Sequence, residues 1–158
     1  MSFKHPLSNS SWEKNEIIAL KKVISSKKFT MGNKVKKFEK NFAKYLGVKY
    51  ALSLNSCTSA LELSIKANNL KKTDEVIVPS FTWVASANAI INGGATPVFC
   101  DSDLATRNTT AENIEKCITN NTKALMIVHY GGQTCEMDKI LKLVKKYKII
   151  LIEDSAET

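Results

Sequence analysis

Short runs of apolar, β-branched residues recur along the chain at Tyr50–Leu54, Glu75–Val78, Thr96–Cys100, Ala124–Val128 and Ile149–Ile152. Segments with helical spacing separate them. Leu61 and Ile65 follow the first run, and Val84, Ala87, Ala89 and Ile90 the second. Ile114 and Ile118 follow the third, and Met137, Ile140, Leu141 and Val144 the fourth. Strands alternating with helices in units of this length predict βαβ crossovers and a mainly parallel sheet. The runs are apolar throughout, as strands covered on both faces require. Ahead of them, Ser11–Ser26 and Lys34–Leu46 read as two amphipathic helices. Ser10 or Ser11 is placed to cap the first. Val35, Phe38, Phe42, Ala43 and Leu46 form the stripe of the second, which Gly47 ends. The chain stops soon after the last run with no helix following to cover it. It therefore reads as a truncated α/β domain without a repeat, a linker or a second domain.

Composition narrows the class. A 158-residue chain that is 44% hydrophobic has too much apolar content for disorder and enough for one core. No apolar run reaches the roughly 18 residues of a membrane span, and Met1 to Pro6 lacks the apolar core of a secretory signal. The expectation is a cytoplasmic protein with no membrane role. The net charge of +8 suggests nucleic acid, but of the 23 basic residues only Arg107 is arginine. Phosphate and base readers rely on arginine's planar fork, and the lysines are spread over every predicted helix, so no nucleic-acid partner is expected. Cys57, Cys100, Cys117 and Cys135 form no CxxC pair and lack a histidine at metal-ligand spacing, so no metal is expected and the thiols read as reduced.

Three stretches lie where open α/β sheets bind ligands, beyond the carboxyl ends of the strands. Asn55-Ser56-Cys57-Thr58-Ser59-Ala60 leads into a helix, whose free N–H groups suit a phosphate. A plain N-cap and a Cys57 thiol acidified by the helix end are the other readings. Pro79-Ser80-Phe81-Thr82-Trp83 places an indole where a strand passes into a helix, either against a planar ligand or in the core. Glu153-Asp154-Ser155-Ala156-Glu157 puts an acid at the tip of an apolar strand, which is costly without a partner. A helix cap, a metal ligand and a counter-ion for a bound cation all fit. Neither a G-x-x-x-x-G-K-[ST] loop nor a G-x-G-x-x-G fingerprint is present. His129, without a paired Ser or Cys, reads as structural. A phosphate seat, an aromatic plane and a carboxylate on one sheet edge together suit pyridoxal 5'-phosphate, whose ring nitrogen works best protonated.

The order and spacing of these stretches resemble the N-terminal part of the DegT/DnrJ/EryC1/StrS family of pyridoxal-phosphate-dependent sugar aminotransferases. The matching residues are Pro6-Leu7-Ser8, Thr30-Met31-Gly32, Val35 to Val48, Asn55 to Leu61 and Asp74 to Ala85. Gly94 to Asp101, Val128 to Gln133, Met137-Asp138 and Glu153 to Glu157 complete them. The resemblance implies a three-layer α/β/α fold like the large domain of fold type I (aspartate aminotransferase-like) enzymes, with residues 1–158 as the N-terminal part of that domain. It implies that Thr58 and Ser59 hold the cofactor phosphate through backbone N–H groups, that Trp83 stacks on the pyridine ring, that Asp154 pairs with the ring nitrogen, and that Glu157 sits near the ring hydroxyl. Glutamate at that last position is found in perosamine-type synthases and hints at a 4-keto hexose. The implied reaction passes an amino group from glutamate to a nucleotide-linked keto-sugar, for surface polysaccharide or other amino-sugar synthesis, in a homodimer. The family's Schiff-base lysine is expected beyond Thr158, so no catalytic residue is expected within these residues. Two alternatives stand beside this reading: an incompetent fragment with residual cofactor or sugar-nucleotide affinity, and a cofactor-dependent sugar dehydratase of the same family, with histidine in place of the lysine.

Overall fold

The computed structural model describes residues 10–158. Pro6-Leu7-Ser8 lies outside the described residues. The chain divides into two compact units, one ending at Ser53 and one running Leu54–Thr158.

The first unit holds α1 (Lys14–Ser25) and α2 (Asn33–Leu46). The predicted cap of α1 is displaced. Its N-cap is Glu13, whose N–H donates to Glu16 Oε2 at 2.8 Å, so a capping-box carboxylate three residues on replaces the expected serine. α2 ends as predicted, with Gly47 at φ 68°, a left-handed position that glycine adopts without a Cβ penalty. Tyr50–Leu54, expected as a strand, pairs with none among the described residues. Tyr50, Leu52 and Leu54 are exposed, and the Ser53 N–H donates to Glu39 Oε1 at 2.8 Å. A β-prone run becomes a strand only where a neighbouring edge supplies ladder partners.

The second unit is built from α3 (Cys57–Ala67), β1 (Glu75–Pro79), α4 (Val84–Gly93), β2 (Thr96–Cys100), α5 (Ala111–Lys116), β3 (Thr122–Val128), α6 (Met137–Tyr147) and β4 (Ile150–Asp154). The strands form one sheet in the order β2-β1-β3-β4, every neighbouring pair parallel. Because side chains alternate along a strand, β1 and β3 fill two cores at once. Val76, Val78, Ala124 and Met126 pack with Leu61 and Ile65 of α3 and Ala89 and Ile90 of α4. Ile77, Leu125 and Ile127 pack with Ile114 of α5 and with Ile140 and Leu143 of α6. The result is the expected three-layer α/β/α arrangement.

The last strand differs from expectation in two ways. It runs on through Glu153 and Asp154, which places Asp154 on β4 itself. It is also covered on both faces: Ile152 joins the α3 cluster, and Leu151 packs against the α6 cluster. The crossovers that precede β4 supply this cover, so it does not depend on a helix after the strand. No helix among the described residues is long and apolar enough to cross a membrane.

One glycine marks how tightly α3 and α4 pack. A Cβ on Gly93 would stand 2.6 Å from Cβ of Ile65, which is fully buried. Gly93→Ala is therefore expected to destabilise the fold by about 1–3 kcal/mol, read as a lowered midpoint in thermal or urea unfolding. An unchanged midpoint would mean that the two helices move apart at no cost.

Candidate functional site

All five residues singled out from the sequence for ligand binding lie in the second unit, at the carboxyl edge of its sheet. The first group is the N-terminus of α3. Ser56 is its N-cap, with Oγ accepting the Ser59 N–H at 3.2 Å and pairing with Ser59 Oγ at 3.0 Å. The Ala60 N–H goes to the Ser56 carbonyl. The cap thus occupies the Ser59 N–H that the phosphate reading called on. The open donors at this helix end, among the described residues, are the N–H groups of Cys57 and Thr58.

Asp154 ends β4 and is 5% exposed. Ser86, fully buried on α4, donates to its Oδ2 at 2.8 Å. The Ala156 N–H and the Cys57 thiol approach Oδ1 at 3.2 and 3.7 Å. A hydroxyl has one proton, so Ser86 must accept from Thr82 Oγ1, 2.9 Å away, giving a polar chain Thr82→Ser86→Asp154. No ion pair among the described residues involves Asp154. Sequence reasoning missed Ser86. Its signal was available only as a polar residue on the inward α4 stripe with Ala89 and Ile90.

Cys57 responds to this carboxylate. Desolvation first, then the charge of Asp154 and the hydrogen bond to it, push its thiol above the ordinary cysteine range. A raised value favours the protonated thiol, the opposite direction from the reading of Cys57 as acidified by the helix end. Burial is the larger cause, and the Asp154 charge and hydrogen bond act in the same direction.

Trp83 is the N-cap of α4, with φ −68° and ψ 140°, so its side chain leaves before the helical stripe of Ser86, Ala89 and Ile90 begins. It is 80% exposed, which removes the core reading for this indole. The rings of Phe81 and Tyr130 meet at 4.8 Å with planes tilted by 52°. Glu157 is exposed and accepts the Gly131 N–H at Oε2, 2.6 Å away. Thr58, Trp83, Tyr130, Asp154 and Glu157 line one cavity of about 480 Å³, with Phe81 in the same wall. Ser59 is not among its lining residues, and neither is any lysine.

His129, beside this edge, is accounted for structurally. It is buried, its Nδ1 accepts the Cys135 N–H at 3.2 Å, and its Nε2 therefore carries the proton that faces Glu153 Oε2 at 3.1 Å. Among the described residues no group of three or more His, Cys, Asp or Glu side chains is arranged to hold a metal ion.

The chain as a whole is similar to several known proteins. Over 128 residues the chain is 47% identical to the GDP-perosamine synthase of Caulobacter vibrioides, a match covering 81% of this chain and 34% of that protein. Over 143 residues it is 43% identical to the spore coat polysaccharide biosynthesis protein SpsC of Bacillus subtilis, covering 90% and 37%. Among solved structures, E. coli GDP-4-keto-6-deoxy-D-mannose-3-dehydratase with bound hydrated PLP superimposes with a TM-score of 0.90 at 37% identity, covering 96% of this chain and 41% of that one. The chain thus spans between a third and two fifths of the length of these proteins. Its three-layer sheet is that of the fold type I aminotransferases. A model of the DegT/DnrJ/EryC1/StrS aminotransferase family matches residues 10–158, and the chain belongs to that family.

Proposed function

We propose that the protein carrying this chain is a pyridoxal-phosphate-dependent aminotransferase that moves an amino group from glutamate to a nucleotide-linked keto-sugar, acting as a cytoplasmic homodimer in amino-sugar or surface polysaccharide synthesis. In this reading residues 1–158 are the N-terminal part of its cofactor-binding large domain. The observation that carries the proposal is Asp154: a buried carboxylate, supplied with three neutral donors and no cation among the described residues, on the wall of a cavity that an exposed indole also lines. A buried charge of this kind is stable when a cationic ligand completes it.

Bound here, pyridoxal phosphate supplies an electron sink at its protonated ring nitrogen. The chain's own residues hold that state. Asp154 keeps a proton on the facing nitrogen, because an adjacent opposite charge favours the charged form. Ser86 and Cys57 aim the carboxylate and satisfy its other lone pairs. Trp83 sets the plane of the ring. The open N–H groups of Cys57 and Thr58, at the positive end of α3, take the phosphate. Ser59 contributes through the cap, by fixing Ser56 and the helix end. Glu157, held by the Gly131 N–H, would sit near the ring hydroxyl and favours a 4-keto hexose as acceptor. The similarity to a GDP-perosamine synthase supports that choice.

Trp83→Ala tests the seat. It is expected to weaken pyridoxal phosphate binding by about 1–3 kcal/mol in an absorbance or fluorescence titration. Its high exposure predicts little change in thermal stability. Undiminished affinity in this variant would remove the stacking role.

A dehydratase is the second reading, favoured by the likeness to the E. coli enzyme. The product decides. Nitrogen-15 passing from labelled glutamate into the sugar supports amino transfer, whereas loss of a sugar hydroxyl without gain of nitrogen supports dehydration.

A further inference from the structure

Asn108 lies outside the cavity, on the loop between β2 and α5, and is only 4% exposed. Both ends of its amide are used on one turn. Oδ1 accepts the Tyr130 N–H at 2.9 Å, and Nδ2 donates to the Gln133 carbonyl at 2.8 Å. Between those two contacts the chain makes the tight turn Tyr130–Gly132, with Gly131 at φ 61° and Gly132 at φ 78°. This turn meets Glu157 twice. The Gly131 N–H donates to Glu157 Oε2 at 2.6 Å, and a Cβ on Gly132 would stand 3.1 Å from the Glu157 carbonyl oxygen.

Asn108 is itself fixed before it grips the turn. Its carbonyl accepts the Asp103 N–H at 2.9 Å, and its N–H reaches Thr106 Oγ1 at 3.3 Å. Asp103 Oδ1 accepts from the N–H groups of Ala105 and Thr106 and from the Thr106 hydroxyl, which closes the loop on itself. The segment 103–108 is therefore a small rigid bracket, and the Asn108 amide is the part of it that reaches the cavity wall.

From this geometry we infer that Asn108 is a positioning residue that sets the Glu157 carboxylate, and the Tyr130 ring beside it, against the bound ligand. Loss of the amide leaves the Tyr130 N–H and the Gln133 carbonyl without their partners, and the turn relaxes to satisfy them. The Gly131 N–H then no longer stands where Glu157 needs it. The inference rests on the proposed cofactor seat.

A double-mutant cycle in the protein that carries this chain tests it, with the dissociation constant of pyridoxal phosphate and the thermal midpoint both measured. Asn108→Ala is expected to raise the dissociation constant roughly five- to tenfold when Glu157 is present. In the Glu157→Ala background the same change is expected to raise it less than about twofold, since the group that Asn108 positions is gone. The loss in thermal midpoint is expected to be the same in both backgrounds. Asn108→Asp keeps the acceptor for the Tyr130 N–H and loses the donor to Gln133, so an intermediate effect is expected. If Asn108→Ala does not fold, the cycle runs with this variant. Equal increases in the two backgrounds, or none in either, overturn the inference. Failure of the seat itself has a different signature: Trp83→Ala would then leave the dissociation constant unchanged as well.

Discussion

Asp154→Asn, made in the protein that carries this chain, is expected to lower amino transfer by roughly 10²–10³-fold, while pyridoxal phosphate affinity falls far less. The substitution keeps the shape of the side chain, so Ser86 can still donate to the remaining oxygen. It removes the charge that keeps a facing ring nitrogen protonated. An unprotonated ring still fits the cavity, stacks on Trp83 and presents its phosphate to α3, which is why binding suffers less than turnover. A second readout needs no cofactor. Two of the three causes that raise the Cys57 thiol come from Asp154, its charge and its hydrogen bond. With the charge gone, the thiol moves back toward its ordinary value and more thiolate is present at a given alkaline pH. Alkylation of Cys57, followed by peptide mapping at about pH 8, is expected to be faster in the variant than in the parent. Turnover unchanged alongside faster Cys57 alkylation would mean that Asp154 is buried as described but does not serve the reaction.

The second large effect concerns these 158 residues expressed alone, and complete loss of amino transfer is the expected result. A pyridoxal-phosphate transaminase needs a lysine amine at the cofactor, to hold it and to carry the proton between donor and product carbons. The chain has 22 lysines, yet none among the described residues lines the cavity of Trp83 and Asp154. Lys116, Lys139 and Lys146 are engaged in ion pairs with Glu112, Glu136 and Glu115, which hold their amines charged and non-nucleophilic. Borohydride reduction in the presence of pyridoxal phosphate is therefore expected to label surface lysines at scattered, low levels. Stoichiometric labelling of one lysine, together with nitrogen transfer from glutamate, would overturn this and locate an active site within the chain. If the chain alone also binds pyridoxal phosphate reversibly, the seat stands without the chemistry, as the incompetent-fragment alternative describes.

Much of the architecture was legible from local pattern. Continuous apolar runs at 75–78, 96–100 and 124–128 announced strands, and the structure places them within two residues of those bounds; β1 and β3 are buried as expected, whereas β2, at the sheet edge, leaves Thr96 and Phe99 exposed. The α2 stripe and its glycine stop were readable for the same reason, because amphipathic spacing and a left-handed cap are properties of neighbours in sequence. The order in which Thr58, Trp83, Asp154 and Glu157 appear, each just beyond an apolar run, was enough to place them on one sheet edge.

Pairing, donors and charge were decided elsewhere. Tyr50–Leu54 has the composition of a strand, but a ladder needs an edge contributed by distant residues, and none among the described residues supplies it. The cover of β4 comes from α3 and α6, both earlier in the chain, so its faces could not be judged from the few residues after Ile152. Ser86 and Asn108 look like ordinary polar residues in the sequence. Only packing brings Ser86 to Asp154 across 68 positions, and Asn108 to Tyr130 across 22. Cys57 makes the same point in electrostatic terms. Its sequence context offered a helix end that lowers a thiol's pKa, but the fold desolvates the thiol and sets a buried carboxylate beside it, and both push its pKa up. Sequence determined which segments fold locally and which residue types reach the sheet edge. Tertiary structure alone decided who donates to whom, because hydrogen bonds and charges act through space and take no account of separation along the chain.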